Sequence, residues 1–298
     1  VSVLESTVKI TSVLLKGLDN VNLPVMAHVL DGETGELPVI ANLNAHVDDK
    51  YYVKSITGLE PPDQNVAIAR TASGGKYQGR ISADREVVVL IGLNPDWDAG
   101  ETPKLLRDNL YTLMSTGYDP KVRIMLVASI FSVAYVDAYI TKFEAAIFDK
   151  NPVVQITLTC LNPTFSAESP IWYEPSELDL DYPNIYNVGT AEAGFQFAVK
   201  FTDDKNGWYI RQAENQNIGM EFDMQFHTND VLSVSTIPGK RYVHWQKRRG
   251  KVTNKMGILT NSSEWLQLHP GMNNFVVPPQ DKWVWKGNLV FTPQYWGI

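Results

Sequence analysis

Branched and aromatic side chains recur at period two along most of the chain, and that alternation predicts strands. Val1 to Gly17 carries it, as in Thr7-Val-Lys-Ile-Thr-Ser-Val-Leu14, and Tyr51-Tyr-Val-Lys-Ser-Ile-Thr57 repeats it. Arg85-Glu-Val-Val-Val-Leu-Ile-Gly92 is instead a near-continuous apolar run, which predicts a strand covered on both faces. Residues 121–127, 134–142 and 152–160 read as three successive strands. The middle one could also be drawn as a helix, but its aromatic and β-branched residues favour strand. Helical spacing is clearest over 102–116, where Leu106, Leu110, Leu113 and Met114 share a face. Thr102 suits the N-cap, Pro103 the first helical position, and Gly117 the left-handed stop. One helix among strands predicts an α+β domain with antiparallel sheets rather than a doubly wound sheet.

The texture changes at Asn162-Pro163 and stays acidic and Pro-bearing through Glu174, Pro175, Glu177, Asp179, Asp181 and Pro183. That stretch reads as a linker, 166–184, between an N-terminal domain over 1–165 and a second domain over 185–298. Beyond it only strands and turns are visible. Gly194 to Phe201 alternates, and Asp204-Lys-Asn-Gly207 predicts a hairpin turn into Trp208-Tyr-Ile210. Gly219 to Phe226 alternates again. Val231 to Thr236 and Arg241 to Trp245, joined through Pro238-Gly239, predict a further hairpin, and Trp283 to Phe291 closes the series. Short, evenly spaced strands without helices predict an all-β sandwich.

Composition narrows the function classes. The chain has 298 residues, 44% of them hydrophobic and 20% charged, enough for two cored domains and not the profile of a disordered protein. A formal net charge of −7 opposes a phosphate backbone, so sequence-specific nucleic-acid binding is not expected. The basic run Lys240-Arg241 with Lys247-Arg248-Arg249 reads as a solvated turn or a protein contact. Cys160 is the only cysteine, which excludes a disulfide framework, and its alternating neighbours predict a buried thiol rather than a nucleophile. The longest apolar stretch, Ile124 to Ala134, is interrupted by serines and too short to insert in a membrane. The first residues lack a signal-peptide pattern, so a soluble intracellular product is expected.

Chemistry-bearing patterns are missing. His28, His46, His227, His244 and His269 show no i, i+4 pair, and no nucleophile elbow or dinucleotide fingerprint occurs. The glycine cluster Gly74, Gly75 and Gly79 lacks the phosphate-loop spacing and reads as an excursion between strands. No catalytic residue, metal ligand or cofactor is therefore expected. The tryptophans of the second half allow two readings. Buried indoles fill a sandwich, whereas exposed Trp208, Trp245 or Trp265 could stack on sugar rings in a carbohydrate-binding, host-adhesion protein.

An ordered set of short words adds a family resemblance. Asn187-Val-Gly-Thr-Ala191 precedes Phe195-Gln-Phe197, then Ile210 and Asn217-Ile-Gly219. Asn229-Asp-Val-Leu-Ser-Val-Ser-Thr236 and Ser262-Ser-Glu-Trp265-Leu-Gln-Leu-His-Pro270-Gly-Met-Asn273 follow. This order resembles the galectin-like C-terminal domain of siphophage distal tail proteins. In the first half Gly74 to Leu90 and Thr159-Cys-Leu-Asn-Pro-Thr-Phe165 match the family's plan, although the loop Gly74-Gly-Lys-Tyr-Gln-Gly79 departs from its usual Pro-Gly-x-x-Gly. The resemblance implies a non-enzymatic virion protein of the tail tip. It would form a homohexameric ring between the tail-tube protein and a hub or fibre protein, with DNA passing through the lumen. Receptor-binding proteins are a further candidate partner. A ring needs an edge-to-edge contact, and the loop with its following strand is the candidate for it: Arg70, Gly74, Gly75, Tyr77, Arg80 and Arg85.

Overall fold

The protein is described from a computed structural model, which covers residues 10–17, 39–42, 50–62, 64–71, 74–82, 84–113, 121–128, 134–145, 152–160, 162–178, 182–248 and 250–298. The opening of the strand expected from Val1, together with Met114 and Gly117 of the expected helix end, lies outside these residues. The chain divides into two compact units. Unit 1 holds Val1–Glu168 together with Trp296–Ile298, and unit 2 holds Ser169–Tyr295.

In unit 1 the strands are β1 (Ile10–Gly17), β2 (Val39–Asn42), β3 (Tyr51–Thr57), β4 (Gln64–Thr71), β5 (Gly74–Ser82), β6 (Arg85–Leu93), β7 (Lys121–Ala128), β8 (Ala134–Ala145), β9 (Val153–Cys160) and β10 (Phe165–Ala167). The main sheet runs β2-β1-β7-β8-β9-β6-β3, and its pairs are antiparallel. The 134–145 segment is thus a strand, as its β-branched and aromatic residues predicted. Its inner face is built by alternation: Val136 and Ala138 on β8, Val154, Ile156 and Leu158 on β9, and Val87, Val89 and Ile91 on β6 are all buried. The apolar run of β6 hides the same period, because Val88 and Leu90 on its other face stay half-buried rather than covered.

The helix α1 spans Pro103–Leu113 and lies against β6. Thr102 caps it, its Oγ1 accepting the Leu105 N–H at 3.2 Å. Leu106 and Leu110 point inward and are buried; each contributes about 1.5–3 kcal/mol. Tyr51 of β3 donates to the Leu106 carbonyl at 3.0 Å, and burial pushes its phenol up to about 12.

The described residues of 166–184 are not a free linker. β10 pairs with β8 through Ser166 and Tyr135, β11 (Ile171–Tyr173) pairs with β21 (Leu289–Phe291), and Leu178 is buried in the core of unit 2. Phe165, Ile171 and Leu178 supply the apolar anchors that the surrounding acids and prolines mask in the sequence.

Unit 2 consists of two antiparallel sheets. Its further strands are β12 (Asn184–Asn187), β13 (Phe195–Phe201), β14 (Lys205–Gln212), β15 (Gly219–Phe226), β16 (Val231–Ser235), β17 (Tyr242–Gln246), β18 (Val252–Asn254), β19 (Gly271–Val276), β20 (Trp283–Trp285) and β22 (Gln294–Tyr295). One sheet runs β11-β21-β13-β16-β17-β18, with β20 also on β13, and the other runs β12-β19-β14-β15. Phe195, Phe197, Val199 and Phe201 of β13 meet Trp208, Ile210, Phe222 and Phe275 of the facing sheet in one buried cluster. Phe201 stacks on Phe226 at 4.1 Å, and Phe195 lies 5.7 Å from Phe275.

The hairpin expected at 231–245 is present as β16–β17, turned at Gly239 with φ +75. The one expected at 204–207 is not, since β13 and β14 belong to different sheets. Crossing between layers puts the inward residues of the two strands on opposite walls of one core. Gly207, at φ +68, sits where the β14–β15 register slips between Asn206 and Trp208. A bulge residue in the left-handed region favours glycine.

Candidate functional site

The words that carried the family resemblance are local scaffolds built from buried amides and one carboxylate. Asn273, at the start of β19, accepts the His269 N–H at 2.8 Å and donates to the carbonyls of His269 and Gly271 at 2.8 and 2.9 Å. Pro270-Gly271 turns the chain and the Asn273 side chain fills the turn, as its place ahead of a strand suggested. Leu268 is buried beneath it and Trp265 packs partly buried on the same core. Asn187 does the equivalent work elsewhere, accepting from Gly189 and donating to Ala191 and Leu268, each at 2.9–3.0 Å. A Cβ at Gly189 would lie 2.3 Å from the Gln294 carbonyl oxygen, so only glycine fits there. Asp230 accepts from Trp245 Nε1 and from the His227 N–H, both at 3.1 Å.

Of the residues expected at a subunit contact, Arg85 is placed elsewhere. It is 2% exposed and bonds within its own unit. Nε donates to Pro163 O at 2.8 Å, one terminal nitrogen to Gly58 O and Glu60 O at 2.5 and 2.8 Å, and the other to Trp296 O. Its guanidinium carbon lies 4.4 Å from the Phe165 ring centre. Burial holds its pKa below the ordinary arginine value. A guanidinium so committed has nothing to offer a neighbouring subunit, so Arg85 leaves the candidate contact and becomes an internal tie.

Arg70, Gly74, Gly75, Tyr77 and Arg80 fall on β4 and β5, which form a two-stranded antiparallel sheet of their own. Its register pairs Arg70 with Gly75, Ile68 with Tyr77 and Val66 with Arg80. The excursion read from the glycine cluster is therefore a long hairpin.

The tryptophans of the sugar-stacking alternative have different environments. Trp208 is 2% exposed and sits perpendicular to Trp283 and Trp285, with interplanar angles of 81° and 86°. Edge-to-face packing is the favoured aromatic geometry, and a ring so enclosed cannot stack on a ligand. Trp245 and Trp265 are partly buried, and cations occupy their rings. Lys247 and Lys255 approach Trp245 at 5.1 and 5.5 Å, and Arg241 lies over Trp265 at 5.3 Å. Among the described residues no group of His, Cys, Asp and Glu could hold a metal ion. Cys160 is buried, and burial pushes its thiol up to about 12. A surface cleft of about 540 Å³ lies over β14 and β15 and is lined by Lys205, Tyr209, Glu221, Asp223, Thr260 and Pro279 among others. Sequence reasoning missed a second concavity, where Lys200 and Lys286 join Lys247 and Arg248. Its members come from three separate stretches of the chain, so no spacing announces it.

Residues 188–295 match the family described as siphovirus-type tail component, C-terminal domain. No curated protein matches the chain in sequence. Among solved structures it is similar to the Dit protein of phage SPP1, described as a paradigm of hub adsorption apparatus in phages infecting Gram-positive hosts. The identity is 15%, the TM-score is 0.59, and the match covers 85% of this chain and 96% of that one. A chain of the phage P2 baseplate in its activated conformation aligns at 9% identity and TM-score 0.43, over 96% of this chain and 99% of that one.

Proposed function

We propose that this chain, whose residues 188–295 belong to the siphovirus-type tail component family, is a structural subunit of the distal end of a long phage tail. In this reading it is no enzyme. Copies of unit 1 associate into a homohexameric ring that joins the tail-tube protein to a hub or fibre protein and leaves a lumen for DNA. Unit 2 is a galectin-like sandwich carried on the ring. The observation that carries the reading is the family match, which spans the stretch where Asp230 and Asn273 build turns of unit 2. The likeness in fold to the SPP1 Dit protein over most of both chains supports the same assignment for unit 1. A net charge of −7 suits a lumen along which DNA slides without sticking.

The β4–β5 hairpin is the proposed ring contact. It stands apart from the main sheet and leaves strand edges for a neighbour to pair. The assembly is tested by native mass spectrometry and negative-stain imaging of the purified protein at high concentration, alone and with its tail partners. Closed rings of six are expected. A strict monomer under all these conditions overturns the proposal.

A further inference from the structure

Four cations meet in one concavity of unit 2 that the features above do not account for. Lys200 on β13, Lys286 just past β20, and Lys247 and Arg248 just past β17 line a depression of about 270 Å³. Asn229 and Gln246 also line it, and no carboxylate does. Three other cations of unit 2 are matched by carboxylates: Lys205 by Asp281, Arg211 by Glu221 and Lys282 by Asp203. None of the four in the concavity has an ion-pair partner among the described residues. Asp230, beside Asn229, turns its carboxylate away to Trp245 Nε1 and the His227 N–H.

The backbone holds these positions in place. Lys200 is paired on both sides, with Val231 and with Val284. The Lys286 N–H donates to Ala198 O at 2.8 Å, and the Asn229 N–H to Phe201 O at 2.8 Å. Asn229 has φ 71 and is the only non-glycine residue in the left-handed region among the described residues. The turn bearing Lys247 and Arg248 is closed by Gly250 N–H to Lys247 O at 2.8 Å and by Gln246 Nε2 to Gly250 O at 3.1 Å. Like charges gathered on a fixed frame repel one another, and a multiply charged anion relieves that repulsion where a single carboxylate relieves only part of it. Arginine's fork spans two oxygens of a tetrahedral oxyanion, lysines add point charges, and carboxamide N–H groups serve the remaining oxygens.

We infer that this concavity binds a phosphate-type oxyanion, either free or carried in a chain of phosphates. The inference is independent of ring formation. Calorimetric titration of the full chain at low salt with orthophosphate, triphosphate and hexaglutamate tests it. Saturable binding of a phosphate at one site per chain is expected. Binding of orthophosphate identifies the free ion as sufficient, and binding of triphosphate alone identifies a phosphate chain. Combining Lys200→Gln, Arg248→Gln and Lys286→Gln should weaken binding at least tenfold. Combining Lys104→Gln, Lys240→Gln and Lys251→Gln, all at exposed positions outside the concavity, should change it less than twofold. If the first combination fails to fold, the exposed single variants Arg248→Gln and Lys286→Gln, each expected to weaken binding severalfold, decide the matter. Absence of saturable binding, equal losses in both combinations, or tighter binding of hexaglutamate than of triphosphate overturns the inference, the last assigning the surface to an acidic polypeptide.

Discussion

Replacing Arg85 with methionine keeps the apolar stem and removes the donors. Four backbone acceptors then lose their partner, those of Gly58, Glu60, Pro163 and Trp296. A buried carbonyl left unsatisfied costs about 1–3 kcal/mol, so two that fail to recapture water cost about 2–6 kcal/mol. The guanidinium is itself desolvated, as its lowered pKa indicates, and its removal returns part of that cost. The expected net loss is about 2–4 kcal/mol for unit 1. For a unit of about 170 residues this lowers the unfolding midpoint by about 4–16 °C. Calorimetry with separate transitions for the two units measures it. The Ile298 amide, which donates to Leu59 O at 3.1 Å, should lose hydrogen-exchange protection at the same time. Arg85→Lys should recover little, because one ammonium cannot reach acceptors spread around a planar fork. A midpoint shift under about 2 °C, or unchanged Ile298 protection, would refute the tie.

Deleting 73–79 removes Gly74 to Gly79, most of β5, and should weaken ring assembly in sedimentation while the main sheet stays folded by circular dichroism; a hexamer of unchanged stability would exclude the hairpin as the contact. Cys160, buried with its thiol pushed up to about 12, should resist a thiol reagent at pH 8 until the protein unfolds; prompt stoichiometric labelling of native protein would contradict its placement. Asp204, held low first by its hydrogen bond with His227, and Asp281, held low first by Lys205, both have depressed pKa values. Their stabilisation is therefore present above the unfolded carboxylate value of about 4 and is lost as pH falls through the folded values. Unit 2 should lose thermal stability below about pH 4, less steeply in an Asp204→Asn, Asp281→Asn double variant and in high salt; identical acid profiles for variant and parent would exclude these pairs as the cause.

Much of the fold could be read from alternation alone, because the longer strands whose burial is described bury one face and the period-two pattern records it. β6, β8, β9 and β13 to β17 show this, and Thr102 marked its helix start by the chemistry of a cap. Asn273 was legible for the same reason, since its turn partners lie within four residues, although its Nδ2 also reaches the Ile185 carbonyl at 3.3 Å. What failed was whatever depends on distant chain segments. Asp204 to Gly207 looks like a turn, but the choice between a hairpin and a crossing is made by the core that β13 and β14 share. Arg85 reads as a surface charge ahead of an apolar strand, because its acceptors are contributed by residues 58, 60, 163 and 296. The acidic stretch 166–184 concealed Leu178 and two short strands for a similar reason: charge dominates composition, while three or four apolar side chains decide the path.

The acceptor at Trp296 also fixes an order of events during synthesis. It lies 211 residues beyond Arg85, and the whole of unit 2 is translated between them. At roughly 5–20 residues per second the ribosome needs roughly 10–40 s to supply it. During that interval the sheet of unit 1 can form, but the guanidinium inside it lacks its last acceptor. Unit 2, continuous in sequence, can finish folding before unit 1 is complete. A nascent subunit therefore receives the hydrogen bonds to Trp296 and from Ile298 only after all of unit 2 has been made.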